Sequence, residues 1–126
     1  MEQNNRPLGW TTLEESRQLV KAGLPVETAD MHYWLAEGKE YVYTGRCSDS
    51  NGIPCWSLGT LVSMLPLIQD VDSFLDKYDL EFKLHAGYIA YCISQSHTPM
   101  VYTEKHETLI EACVEMIIWL LKYELI

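Results

Sequence analysis

The stretch from Thr108 to Lys122, TLIEACVEMIIWLLK, restricts the fold more than any other part of the chain. Leu109, Ala112, Cys113, Met116 and Leu120 follow the i, i+3, i+4, i+7 rule for one buried helical face. Ile110, Ile117 and Leu121 widen that face, and Ile117-Ile118-Trp119-Leu120-Leu121 is apolar nearly all round. Thr108 and Glu111 have the spacing of a capping box, which satisfies backbone N–H groups left free by the first turn. The run is shorter than the ~20 apolar residues a membrane span needs, and Glu111 and Glu115 interrupt it. The spacing therefore predicts a long C-terminal helix covered on more than one side, by a sheet and by further helices or a second copy of the chain.

A length of 126 residues fits one domain, with residues 1–9 expected as a flexible polar tail. Hydrophobic residues make up 48%, enough for one core. The formal net charge of −9 argues against nucleic acid, whose phosphates need basic residues, and against an anionic membrane surface. A charged partner is expected to be basic. The opening MEQNNRPLGW has no apolar core segment of the kind a signal peptide carries. A cytoplasmic setting with reduced cysteines is the expectation, and none of Cys47, Cys55, Cys92 and Cys113 stands in a CxxC pair.

Two further helices are written locally. Thr11/Glu14 and Thr12/Glu15 both have capping-box spacing, Leu13, Ser16, Leu19 and Val20 share a face, and Gly23 and Pro25 end the helix. Ser57 is an N-cap. Trp56 and Leu61 have hydrophobic-staple spacing, Leu58, Leu61, Val62 and Leu65 make the buried face, and Pro66 stops the helix. Tyr41–Thr44 reads as a strand, whereas Leu24–Lys39 is left open by its pattern: Thr28–Met31 fits a helical turn, and His32–Leu35 fits equally the start of a strand. Gly45–Pro54 reads as an exposed loop. Leu67–Asp79 reads as an acidic mixed segment with a short helical turn near Val71–Leu75. Leu80 to His85 alternates, with Leu80, Phe82 and Leu84 inward. Ala86-Gly87 marks a hairpin turn, Tyr88–Ile93 the return strand, and Met100–Tyr102 a third strand. The expected fold class is α+β: an antiparallel β-meander with helices on one face and the long C-terminal helix central.

Three pieces carry a family resemblance: Thr12-Leu-Glu-Glu-Ser16 leading to Gly23-Leu24 and Thr28-Ala-Asp-Met31; Cys55-Trp-Ser-Leu58 running to Leu65-Pro66; and Glu107-Thr-Leu-Ile-Glu-Ala112 leading to Trp119-Leu-Leu121. Together they span most of the chain. They resemble a group of small proteins of unknown function from phages, prophages and gut-type anaerobic bacteria. The resemblance implies a shared fold, a bacterial or phage cytoplasm and an accessory role, and it transfers no catalytic residue.

The residues that could carry chemistry each have a plainer explanation. Cys55 precedes a helix and His85 ends a later strand, as in papain-like cysteine hydrolases. No glycine-containing nucleophile motif accompanies them, and a buried cysteine at a helix start explains Cys55. Ser57 lies one letter from a G-x-S-x-G elbow, but its capping role suffices. Asp70, Asp72 and Glu81 fit positions of an EF-hand loop that Phe74 and Leu75 spoil. His32, His85, His97 and His106 lack zinc-ligand spacing, so no metal and no cofactor is expected. Glu107, Glu111 and Glu115 recur every four residues and predict an acidic, solvated stripe on the last helix, where a basic partner could dock.

Trp34, Tyr41 and Tyr43 belong to an aromatic set large for this length, of the types that anchor interfaces. The reading is a non-enzymatic interaction module binding another protein or itself, with a homodimer through Ile117–Leu121. The alternatives are the Cys55/His85 hydrolase and a small-molecule binder with a pocket between sheet and helices.

Overall fold

The computed structural model describes residues 9–45, 52–65, 78–83, 88–93, 99–124 and 126. In chain order these form α1 (Leu13–Ala22), a 3-10 turn (Val26–Thr28), β1 (Met31–Ala36), β2 (Lys39–Thr44), β3 (Ile53–Cys55), α2 (Leu58–Ser63), β4 (Tyr78–Lys83), β5 (Tyr88–Ile93), β6 (Pro99–Tyr102) and α3 (Leu109–Lys122). The class is α+β with antiparallel strands, as expected. The strands fall into two three-stranded sheets, one ordered β2-β1-β3 and the other β4-β5-β6. The second is the anticipated meander. The helix Thr108–Lys122 lies at the centre, with α3 contacting α1, α2 and β5.

Capping chemistry sets the helix starts. Thr12 is the N-cap of α1: its Oγ1 accepts from Glu15 N at 3.1 Å, and Glu15 Oε1 accepts from Thr12 N at 2.8 Å. The alternative box at Thr11/Glu14 does not form, because Thr11 is buried and its hydroxyl is used elsewhere. Thr108 and Glu111 make the same reciprocal pair at α3. Gly23, at φ +105°, closes α1 in the left-handed conformation that favours glycine. Val20, assigned to the buried face, is instead 40% exposed. Ser16 and Leu19 alone are fully buried on α1, a narrow strip that meets α3 and β3.

The strand β3 corrects the reading of Gly45–Pro54 as loop. It is three residues long and contains Pro54, which obscures it in the sequence. Proline is tolerated there because β3 lies at the sheet edge, where one side of the backbone has no ladder to satisfy. In the ambiguous 24–39 segment the helical turn is at Val26–Thr28 rather than Thr28–Met31, and the strand begins at Met31, one residue before His32. Glu37 (φ +53°) and Gly38 (φ +76°) link β1 to β2 as a two-residue turn with both central residues left-handed. That is the mirror-image geometry matching strand twist, though Glu-Gly lacks the usual Asn-Gly or Asp-Gly signature. Strand β4 begins at Tyr78 rather than Leu80. The facing of Leu80, Phe82 and Leu84, the residues His85, Pro66, Asp70, Asp72, Phe74, Leu75, Cys47 and His97, the segment 67–77, and the Ala86–Gly87 turn lie outside the described residues.

Most of the core gathers around α3. Ile110, Ala112, Cys113, Val114, Met116, Ile117 and Leu120 are buried, joined by Leu19, Trp56, Leu61, Ile89 and Tyr91 from surrounding elements. The turn-by-turn burial exceeds a single stripe because α1 and α2 each occupy a flank that the sheet leaves open. Ile117 and Leu120 are fully buried within their own chain, while Ile118, Trp119 and Leu121 are partly buried. Replacing Leu120 or Met116 with alanine is expected to cost about 2–5 kcal/mol. Denaturant unfolding of either variant measures this, and a loss of a few tenths would contradict the packing.

Candidate functional site

The first sheet has two unlike sides. Side chains alternate along a strand, and directly paired residues share a side. Tyr33 and Cys55 point inward and are buried. His32 pairs with Tyr43, and Trp34 pairs with Tyr41, on the opposite side. Tyr41 and Tyr43 are 41% and 49% exposed. Trp34 is half-buried beside them. His32 stacks on Tyr43 with ring centroids 5.4 Å apart and planes 24° apart, and its Nδ1 lies 2.8 Å from the Gly45 carbonyl. Trp34, Tyr41 and Tyr43, singled out in the sequence as interface residues, are therefore brought together on one open sheet face, with His32 added. The signal for His32 was its two-residue spacing from Trp34.

The inner side is held by two polar clusters that sequence reasoning did not find. Thr11 Oγ1 lies 2.7 Å from Ser16 Oγ and accepts from Trp56 N at 3.2 Å. The Tyr33 hydroxyl donates to the Thr11 carbonyl at 2.8 Å. The second cluster centres on Asp30. Its carboxylate accepts from Ser57 N at 2.9 Å and from Ser57 Oγ at 2.6 Å. Ser57 Oγ in turn caps α2 by accepting from Thr60 N at 3.3 Å. Burial pushes Asp30 up, but the hydrogen bonds from Ser57 and Thr60 outweigh it and hold the carboxyl below its usual range. A carboxylate so stabilised is a weak base, so the pair Asp30–Ser57 is built for capping, as Ser57 alone was read.

Cys55 has no exposed surface. Burial pushes its thiol up, against the hydrogen bonds to Thr11. That is the reverse of the lowered pKa that makes a cysteine nucleophilic. Cys113 behaves alike, its thiol pushed up to about 12 by burial. Among the described residues no group of histidine, cysteine and carboxylate side chains could hold a metal ion.

The glutamates of the last helix differ from a simple solvated stripe. Glu111 Oε1 caps Thr108. Glu115 accepts from Glu104 N at 3.1 Å and lies 2.7 Å from His106 Nε2. Two of the three acids thus anchor the segment that leads from β6 into α3. Glu107, just before the Thr108 cap of α3, is exposed. Glu14 and Glu15 of α1 face this segment across an open groove of about 640 Å³, with Val114 and Ile118 along its floor. A second depression, of about 600 Å³, is lined by Tyr88, Tyr102 and Lys105.

Comparison with protein-family models, with curated proteins and with solved structures finds no match. Among the described residues no helix is long and apolar enough to cross a membrane.

Two measurements check this geometry. Asp30→Asn is expected to cost about 1 kcal/mol at neutral pH, modest because the carboxylate is only partly buried. Because the folded pKa is depressed, this contribution is complete above the ordinary carboxylate range and is lost as pH falls through the depressed value. Melting temperatures of the two proteins should therefore converge in acid; a gap unchanged down to strongly acidic pH would refute the assignment. Iodoacetamide should label Cys55 far more slowly than a free thiol until the protein is unfolded, as followed by peptide mass spectrometry.

Proposed function

We propose that this chain is a non-enzymatic interaction module whose contact surface is the outer face of the first sheet. The observation that carries the reading is the clustering of His32, Trp34, Tyr41 and Tyr43 on one open side of β1 and β2. Tyrosine and tryptophan supply large contact area at low entropic cost and dominate binding energy at interfaces. Folding alone does not require aromatic residues on a solvated strand face, where polar residues would serve. The buried, raised thiol of Cys55 gives the hydrolase reading no activated nucleophile. The two depressions described above are open and lie beside α1/α3 and β5/β6, away from the aromatic face.

The net charge of −9 favours a basic partner. A bacterial or phage setting, with an accessory role, remains part of the proposal and rests on the sequence resemblance.

Retention of proteins from a bacterial extract on the immobilised chain tests the surface. Trp34→Ala combined with Tyr41→Ser and Tyr43→Ser is expected to lose at least tenfold of any specifically retained protein, as hot-spot residues worth about 1.4 kcal/mol or more would require. Identical retention by the folded variant would show that the aromatic face is not the contact surface.

A further inference from the structure

The hydrogen-bonding polarity of β2 can be fixed residue by residue. In an antiparallel pair, alternate residue pairs exchange backbone hydrogen bonds, and the intervening residues turn their N–H and C=O groups away from the partner. Gly45 N donates to the Asp30 carbonyl at 2.7 Å, which places Asp30 and Gly45 among the hydrogen-bonded pairs. Stepping by two along the register gives His32/Tyr43, Trp34/Tyr41 and Ala36/Lys39 as the others. The tight Glu37–Gly38 turn requires the same assignment, because a two-residue hairpin loop is closed by a hydrogen-bonded pair. Glu40, Val42 and Thr44 therefore direct their N–H and C=O groups to the open side of β2. In the sheet order β2 is an edge, and among the described residues nothing pairs with that side.

Edge strands are normally protected by proline, a bulge, or charges along their length. Strand β2 has no proline, its register with β1 is unbroken, and its charges, Lys39 and Glu40, are confined to its first two positions. Tyr41-Val42-Tyr43-Thr44 is open, uncharged and rich in strand-forming side chains.

We infer that β2 pairs antiparallel with β2 of a second copy, with Val42 on the two-fold axis, to form a continuous six-stranded sheet. The inference rests on the reading of the outer sheet face as an interaction surface and extends it: edge pairing leaves that face open to a partner and joins the faces of two copies into one. Matching of faces admits registers that pair residues of like parity, and the one centred on Val42 uses all three outward residues. Glu40 then faces Thr44 of the second copy, Val42 faces Val42, and about six backbone hydrogen bonds form. Tyr41 and Tyr43 fall opposite each other in the non-hydrogen-bonded pairs, where Cα atoms approach to about 4.5 Å and side chains interact most closely. The aromatic face becomes continuous across both copies. The register centred on Tyr41 leaves Thr44 unpaired, and the one centred on Glu40 sets like charges opposite each other.

The size of the contact sets its strength. One strand pair and four tyrosines fall short of the roughly 1,200 Å² at which standard stable interfaces begin. Two copies each carrying −9 also repel. The dimer should therefore dissociate on dilution and tighten as salt screens the repulsion.

Sedimentation equilibrium from micromolar to millimolar concentration, at low and high salt, tests this. The average mass should rise from 14.5 kDa toward twice that value, further at high salt. Amide exchange at Glu40, Val42 and Thr44 should slow several-fold with concentration, whereas Tyr41 and Tyr43 amides, already bonded to β1, should not respond. Val42→Pro removes an outward N–H without touching the β1 ladder, and Tyr41→Glu adds charge beside the axis. Each should keep the wild-type circular dichroism and stay monomeric. A wild-type protein monomeric throughout, or a dimer that persists in both folded variants, overturns the inference. A monomer that still loses retained proteins on Trp34/Tyr41/Tyr43 substitution would overturn the edge pairing and leave the outer-face interaction surface standing.

Discussion

The buried Thr11 backbone and hydroxyl hold together elements that would otherwise meet only through apolar contact. Thr11 N donates to the Trp56 carbonyl at 2.9 Å, and Trp56 N donates back to Thr11 Oγ1 at 3.2 Å. The Thr11 carbonyl accepts from the Tyr33 hydroxyl, and the side chain reaches Ser16 at the first turn of α1. One residue thereby joins β1, α1 and the β3–α2 junction. Each of these polar groups is out of water, so each needs its partner, and removing one would leave the others unsatisfied. The position of the outer aromatic face follows from this. Tyr33 is fixed inward by its hydroxyl, and alternation then turns His32 and Trp34 outward.

The helices were largely legible from the sequence because their determinants are local. Thr12/Glu15, Ser57 and Thr108/Glu111 act over three residues, and Gly23 acts on its own backbone. The sheet was less legible for equally physical reasons. Strand β3 is short, contains Pro54 and follows a run of turn-forming residues, so its pairing with β1 has no local signature. The β1–β2 turn uses Glu37 in a left-handed conformation, at a cost of roughly 1–2 kcal/mol that no sequence pattern announces. The division into two sheets is likewise a matter of long-range pairing.

The interaction residues show the same division. Trp34, Tyr41 and Tyr43 could be grouped from composition, but their common side depends on a register set by the turn. Glu111 and Glu115 were read as solvated charge. Instead, Glu111 completes a cap and Glu115 holds Glu104 and His106. No spacing rule reveals the Glu115 contacts, since its partners come from the irregular segment before the helix. The roles of Asp30 and Thr11 were hidden for a related reason: Asp30 serves Ser57, and Thr11 serves Tyr33 and Trp56, all far away in the chain.

The Thr11 clasp also bears on the order in which the chain assembles. The hairpin of β1 and β2 closes over a two-residue turn, and each helix forms within its own segment. The bond from Trp56 to Thr11, by contrast, closes a loop of 45 residues. Loop-closure entropy grows only logarithmically with length, so the finished clasp is not greatly weakened by this separation. It must nevertheless wait for β1, β3 and the start of α2 to be in place, because contacts distant in sequence give no return until the intervening chain is ordered. The local β1–β2 hairpin before the long-range clasp is the order that this connectivity favours.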